Sequence, residues 1–124
     1  MQLVGKLAII AACLLGLDAC YLTLMSKPFM EMVRKVQGAE LTVRYSSAIA
    51  CYVFLVGGLY YFILKDRRPA FDAFLLGLVV YGVYDTTTYA LIRNWRFDLA
   101  VIDTIWGGVL FYITSRIYYS LVAK

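Results

Sequence analysis

The chain has 124 residues, of which 63% are apolar and only 16% are charged. A soluble domain averages about 25% charged residues, so these few charged side chains could not cover a water-exposed surface. Lys and Arg outnumber Asp and Glu to give a net charge of +4, but they lie between apolar segments and face lipid headgroups there. The composition argues against a soluble enzyme, a nucleic-acid-binding protein and a disordered tail, and it predicts a small multi-pass membrane protein.

Four apolar segments follow one another along the chain, over about 4–25, 45–64, 71–92 and 99–121. Each has roughly 20 residues, the length that a helix needs to cross about 30 Å of hydrocarbon. Backbone groups in lipid must pair within their own segment, so we predict that each segment is a helix. The expected fold is an all-α integral membrane four-helix bundle, formed by a single domain over residues 1–124. No cofactor is predicted.

The connection between the first two segments has an amphipathic pattern. Phe29, Val33 and Val36 recur at helical spacing, with Glu31 and the basic residues opposite. This pattern predicts a short interfacial helix in the headgroup region, which Gly38 would end. A solvated loop is the alternative.

The other two connections, 65–69 and 93–97, are short turns that make consecutive helices antiparallel neighbours. Both termini and the second connection then lie on one side of the membrane. The twelve basic residues divide equally between the two sides, so the positive-inside rule does not decide the orientation. The compact basic group at 65–68 favours termini on the cytoplasmic side, and the equal division leaves insertion in both orientations open.

Three acids lie well inside the predicted spans, away from the helix start that Asp72 occupies, and an Asp at mid-helix costs about 2.5–3.5 kcal/mol. Asp18 and Asp85 each come seven residues before the end of their span, and Asp103 comes four residues after the start of its own. The first and third helices run in one direction and the fourth runs back. We therefore expect all three carboxyl groups in the same leaflet.

Aromatic and basic residues lie near these acids. Tyr81 and Tyr89 flank Asp85 by one turn on the same helix face, and Trp106 follows Asp103 by three residues. Arginines at helix ends can bend into the membrane or snorkel outward. The candidate residues for binding an ion or substrate are Asp18, Asp85, Asp103, Tyr81, Tyr89, Trp106, Arg44 and Arg93. The sequence leaves open whether a metal binds.

Two glycine pairs, 57–58 and 107–108, predict places where helix backbones approach closely. A bundle of this size has little room for a pathway of its own. We therefore expect the lipid-embedded chain to form a homo-oligomer or to join a larger membrane complex.

Three functions are consistent with the acids. Neighbouring carboxylates in lipid repel each other, so one or more would hold a proton near neutrality unless a cation or an arginine intervenes. The first interpretation is therefore binding or transport of a proton or small cation. The first alternative is a structural or accessory subunit whose acids hydrogen-bond to other helices. The second is a small enzyme acting on a lipid through a metal, which is less favoured because no DDxxD-type run is present.

The second half of the chain carries a family resemblance. The run Gly77–Ala90 (GLVVYGVYDTTTYA), then Trp95, then Val101–Gly107 (VIDTIWG), resembles the signature of a small membrane-protein family known as domain of unknown function 2177. Asp18 with Tyr21 fits the same pattern, although that family often has Trp at or just before Tyr21. The resemblance covers nearly the whole chain. It implies a four-helix inner-membrane-type protein and the same three Asp positions, and it implies no activity.

Overall fold

The computed structural model describes residues 2–38 and 44–122, and within them the backbone forms four long helices. They are α1 (Leu3–Gln37), α2 (Tyr45–Leu59, continued by a π-helical segment, Tyr60–Leu64), α3 (Ala70–Leu91) and α4 (Phe97–Leu121). All four are long and apolar enough to cross a membrane. The predicted all-α four-helix membrane bundle is confirmed. Which residues of each helix lie in the hydrocarbon stays a prediction.

The first helix is longer than expected. The amphipathic segment is helical, but it is the continuation of α1 and not a separate interfacial helix, so that part of the prediction is wrong. With 35 residues, α1 is roughly 52 Å long, well beyond the hydrocarbon thickness. It ends where predicted, at Gly38, which adopts a φ of +70° and donates its N–H to the Arg34 carbonyl. Residues 39–43 of the predicted connection lie outside the described residues.

The helix passes through Pro28 without ending. Proline removes one backbone donor, but serine and threonine side chains can satisfy carbonyls around such a site. The Ser26 hydroxyl donates to the Thr23 carbonyl at 3.2 Å, which lies beside the Leu24 carbonyl that Pro28 leaves without its helical donor. Beyond the proline, Met32 is only 1% exposed, and its sulfur accepts the Arg96 backbone N–H at 3.2 Å. Packing against the α3–α4 connection thus fixes the extension of α1.

The second helix widens into a π-helical turn before it ends. The Lys65 N–H reaches the Tyr60 carbonyl at 2.8 Å, and the end is closed by the Arg68 N–H on the Ile63 carbonyl at 2.9 Å. Arg67 adopts a φ of +50° at this end, a conformation that glycine usually supplies. In this turn the Arg68 side chain reaches Asp72 of α3, and the Arg67 side chain reaches Val122 at the end of α4.

Helices α3 and α4 make the closest contact in the bundle, and glycine permits it. A Cβ atom on Gly77 would lie 2.1 Å from the Gly107 carbonyl oxygen and 2.9 Å from the Gly108 Cα. The predicted close approach at 107–108 is therefore present. The close approach predicted at Gly57 and Gly58 is absent, so that prediction is wrong: a Cβ atom on either glycine meets nothing within 4 Å. The buried face of α2 runs through Leu55 and Leu59 instead.

The apolar core occupies one half of the bundle, which we call the terminal half because the first and last described residues, Gln2 and Val122, lie there. It contains the start of α1, the end of α2, the start of α3 and the end of α4. Its buried members are Ile10, Leu14, Leu55, Leu59, Ile63, Leu64, Ala73, Leu110, Phe111, Tyr118 and Val122. The opposite half of the bundle holds the three acids.

Candidate functional site

The three predicted acids come together in one polar cluster. Asp18 projects from α1, Asp85 from α3 and Asp103 from α4, and we call these three residues the carboxylate cluster. Their contacts place them at similar depth, because α1 and α4 run antiparallel and hydrogen-bond to each other at two successive levels. Each level joins one acid to an aromatic side chain of the other helix.

Asp18 forms the first level. Its carboxylate accepts the indole N–H of Trp106 at 3.1 Å and the phenol of Tyr52, from α2. Both donors are neutral, and the Asp18 side chain is only partly buried. Hydrogen bonds from neutral donors stabilise a carboxylate without cancelling its charge. Asp18 thus links α1 to α2 and to α4.

Asp103 forms the second level. Its carboxylate accepts the Tyr21 phenol at 3.2 Å. The Tyr21 ring stacks on Trp106, with centroids 4.7 Å apart and the planes within 3° of parallel. This aromatic pair therefore separates Asp18 from Asp103, and each ring also donates a hydrogen bond to one of them.

Asp85 is the most buried acid, with 1% of its surface exposed. It lies next to Asp103 of α4, and its carboxylate accepts the Thr104 hydroxyl at 3.3 Å. The same hydroxyl donates to the Ala100 carbonyl at 2.9 Å.

A cavity of about 240 Å³ between α3 and α4 reaches the Asp85 side chain. Tyr89 and Thr104 line it together with Phe97, whose ring meets the Tyr89 ring edge-on at 5.6 Å between centroids. Apart from the side chains of Asp85, Thr86, Tyr89 and Thr104, the lining of the cavity is apolar. The cavity reaches Asp85, and not Asp103, from the side of Tyr89 and Phe97, near the helix ends that the α3–α4 connection joins.

Tyr81, Arg44 and Arg93 form no hydrogen bond with the three acids in the described part of the chain. Tyr81 packs into the α3–α4 interface, where a Cβ atom on Gly107 would come within 2.3 Å of its ring, and its ring lies edge-on to Phe111 at 6.4 Å. Arg44 and Arg93 are exposed, and neither forms an ion pair with the three acids in the part of the chain that the structure describes. Guanidinium groups at helix ends remain hydrated when they point outward.

Two members of the polar network were missed at the level of sequence. Tyr52 is one of many tyrosines in apolar segments. It lies on a different helix from Asp18, so the spacing of residues along one helix could not predict their contact. Thr104 directly follows Asp103, so it belongs on a different face of α4 from Trp106. Only the packing of α3 against α4 brings Thr104 to Asp85.

A metal site requires more converging ligands than this cluster supplies. Among the described residues, no three His, Cys, Asp or Glu side chains are arranged to hold a metal ion. Asp85 and Asp103 converge, but the Tyr21–Trp106 stack stands between them and Asp18. The arrangement is that of a carboxyl pair with hydrogen-bonding neighbours.

The fold and its surface define the class of protein. Large apolar side chains point outward along the helices, for example Leu24 at 83% and Phe54 at 79% exposure, and a soluble protein would bury such residues. The molecule is a four-helix integral membrane protein. Residues 3–120 match the model of the family DUF2177, described as a predicted membrane protein, and the chain belongs to that family. Comparison with curated proteins and with solved structures found no match.

Proposed function

We propose that this protein binds and transfers a proton, with the Asp85–Asp103 pair as its binding group. One observation carries the proposal. Asp85 and Asp103 are neighbours inside the bundle, Asp85 lines a cavity, and no Lys or Arg among the described residues is paired with either acid. A membrane-buried acid pair of this kind is costly to keep, and a proton shared between the two acids lowers that cost.

The hydrogen bonds favour a proton over another small cation. The Thr104 hydroxyl donates to the Ala100 carbonyl at 2.9 Å and to the Asp85 carboxylate at 3.3 Å, so Thr104 acts as a donor here and not as a cation ligand. A bound metal ion would need further oxygen ligands around it, and the neighbours of Asp103 supply a phenol donor instead.

Transfer across the membrane requires a second step. The cavity leads from Asp85 toward the α3–α4 connection, whereas the apolar core fills the terminal half. A proton that entered through the cavity would need an opening in that core or an interface with a second copy of the chain. We therefore propose a homo-oligomer as the transporting form.

The test is proton flux into liposomes that contain the purified protein and a trapped pH-sensitive dye. Asp85→Asn and Asp103→Asn keep the shape and the hydrogen bonds of each side chain but cannot titrate. Asp66→Asn, in the α2–α3 connection, is the matched control. We expect flux in wild type and control and its loss in both other variants, with unchanged thermal melting. No flux in wild type, or equal flux in all four samples, would contradict the proposal.

A structural or accessory subunit is the second candidate, and a separate observation favours it. An apolar groove of about 720 Å³ runs between α1 and α2, and most of the first two turns of α2 is exposed. A helix of another membrane chain would fill such a groove. Purification of a stable, homogeneous protein that contains this chain alone would count against this candidate.

A further inference from the structure

A basic pocket lies in the terminal half, at the end of the seam between α3 and α4. It has a volume of about 560 Å³, and its wall includes three arginines, Arg67, Arg68 and Arg116, beside Tyr119 and Ser120. The arginines come from two places far apart in sequence, the α2–α3 connection and the last turns of α4. Their convergence is therefore a product of the fold.

Protein contacts hold part of this pocket in place. The Arg67 guanidinium donates to the Val122 carbonyl at 3.1 Å and lies 4.7 Å from the centre of the Tyr119 ring. The Tyr119 hydroxyl donates to the Arg68 carbonyl at 2.5 Å. The connection is thus tied to α4 on both sides of the pocket, and Arg67 is oriented before any ligand arrives.

The charge of the pocket is only partly compensated. Arg68 pairs with Asp72, one turn into α3, at 3.0 Å. Arg116 forms no hydrogen bond or ion pair with any described residue. An adjoining cavity of about 120 Å³ adds Lys6 and Lys65 to the same end of the bundle. The pocket therefore has unused guanidinium donors and a positive surrounding field.

An apolar groove of about 310 Å³ lies beneath the pocket on the same seam. Its wall consists of Phe71 and Phe74 from α3 and Val109 and Tyr112 from α4. Val109, Tyr112 and Arg116 share one face of α4, at helical spacing. The rings of Phe71 and Phe74 lie 6.2 Å apart and 20° from parallel, so they form a flat apolar wall. The groove thus lies further along the same seam than the pocket, away from the ends of α3 and α4 that carry the arginines.

We propose that this surface binds one membrane lipid with a net negative phosphate headgroup. The phosphate lies in the arginine pocket, and an acyl chain lies in the groove below it. The guanidinium fork matches phosphate oxygens in geometry and charge, and basic pockets between membrane helices are suited to anionic headgroups. The site is separate from the carboxylate cluster, so it does not depend on the proton-binding proposal.

The test is native mass spectrometry of the full chain in detergent, titrated with phosphatidylglycerol or with phosphatidylcholine of the same acyl chains. We expect phosphatidylglycerol to bind at least about tenfold more tightly, as expected for a charge-assisted contact. Arg116→Gln should lower that affinity by about the same factor. Arg93→Gln, an exposed arginine at the opposite end, is the matched control. Equal affinity for both lipids, or equal loss in both variants, would overturn the proposal.

Two further arms separate a lipid from a soluble phosphate. Val109→Trp fills the groove and should weaken binding of phosphatidylglycerol. Val79→Trp adds the same bulk at an exposed position outside the groove and should leave binding unchanged. Inorganic phosphate, added at the same concentrations, should bind far more weakly than the lipid. Equal affinity for inorganic phosphate and the lipid would refute the role of the groove, and with it the lipid assignment. Circular dichroism of each variant verifies that loss of binding is not loss of fold.

Discussion

Replacing Gly77 with alanine tests whether close packing of α3 on α4 holds the bundle together. The new Cβ atom would lie 2.1 Å from the Gly107 carbonyl oxygen and 2.7 Å from its carbonyl carbon. Both are backbone atoms, which no change of rotamer can move. Carbon atoms in contact normally stand about 3.5–4.0 Å apart, so the two helices must separate by about 1 Å or more.

The cost of this separation can be estimated. Overpacking of a close-packed site costs about 1–3 kcal/mol, and the fixed backbone places Gly77→Ala toward the upper end. Any glycine-to-alanine change inside a helix also returns up to about 1 kcal/mol of helix propensity. Gly58→Ala brings the same gain without the clash, because nothing lies within 4 Å of its Cβ position. The difference between the two variants therefore isolates the packing cost.

The assay is reversible unfolding in mixed micelles as the fraction of denaturing detergent rises, followed by circular dichroism. Gly77→Ala should be about 1–3 kcal/mol less stable than Gly58→Ala. Gly82→Ala should behave like Gly58→Ala, because its Cβ meets only the Thr104 methyl group at 3.4 Å. Equal stability of Gly77→Ala and Gly58→Ala would refute the argument that glycine brings α3 and α4 together.

Two further predictions concern single hydrogen-bonding groups. Trp106→Phe removes the indole donor to Asp18 but keeps an aromatic ring on Tyr21, so it should cost about 0.6–1.7 kcal/mol in the same unfolding assay. Trp95→Phe should cost less, because the buried indole N–H of Trp95 has no partner among the described residues. A larger cost for Trp95→Phe than for Trp106→Phe would contradict the hydrogen bond to Asp18. Thr114 is fully buried, and its hydroxyl has no hydrogen-bond partner among residues 2–38 and 44–122. Thr114→Val should therefore raise the free energy of unfolding by about 1 kcal/mol, and a loss of stability would contradict the missing partner.

The α1 extension marks where local reasoning failed. Pro28 follows Ser26 and Lys27, and such a sequence ordinarily ends a membrane helix before an interfacial one begins. The helix continues because Met32, beyond the proline, is buried against the α3–α4 connection. That contact joins residues far apart in sequence, so no local pattern around Pro28 could have predicted it.

The sequence by itself determined the class of protein, the four helices and the shared level of Asp18, Asp85 and Asp103 along the bundle. Those properties depend on apolar length, chain direction and position along a helix, which are local. Only the tertiary structure decided that Tyr52 and Thr104 join the acids, that Gly77 touches α4, and that Arg116 meets the α2–α3 connection. These contacts depend on how each helix is rotated about its axis. In lipid the outward and inward faces are equally apolar, so the hydrophobic pattern does not specify that rotation, whereas side-chain packing does.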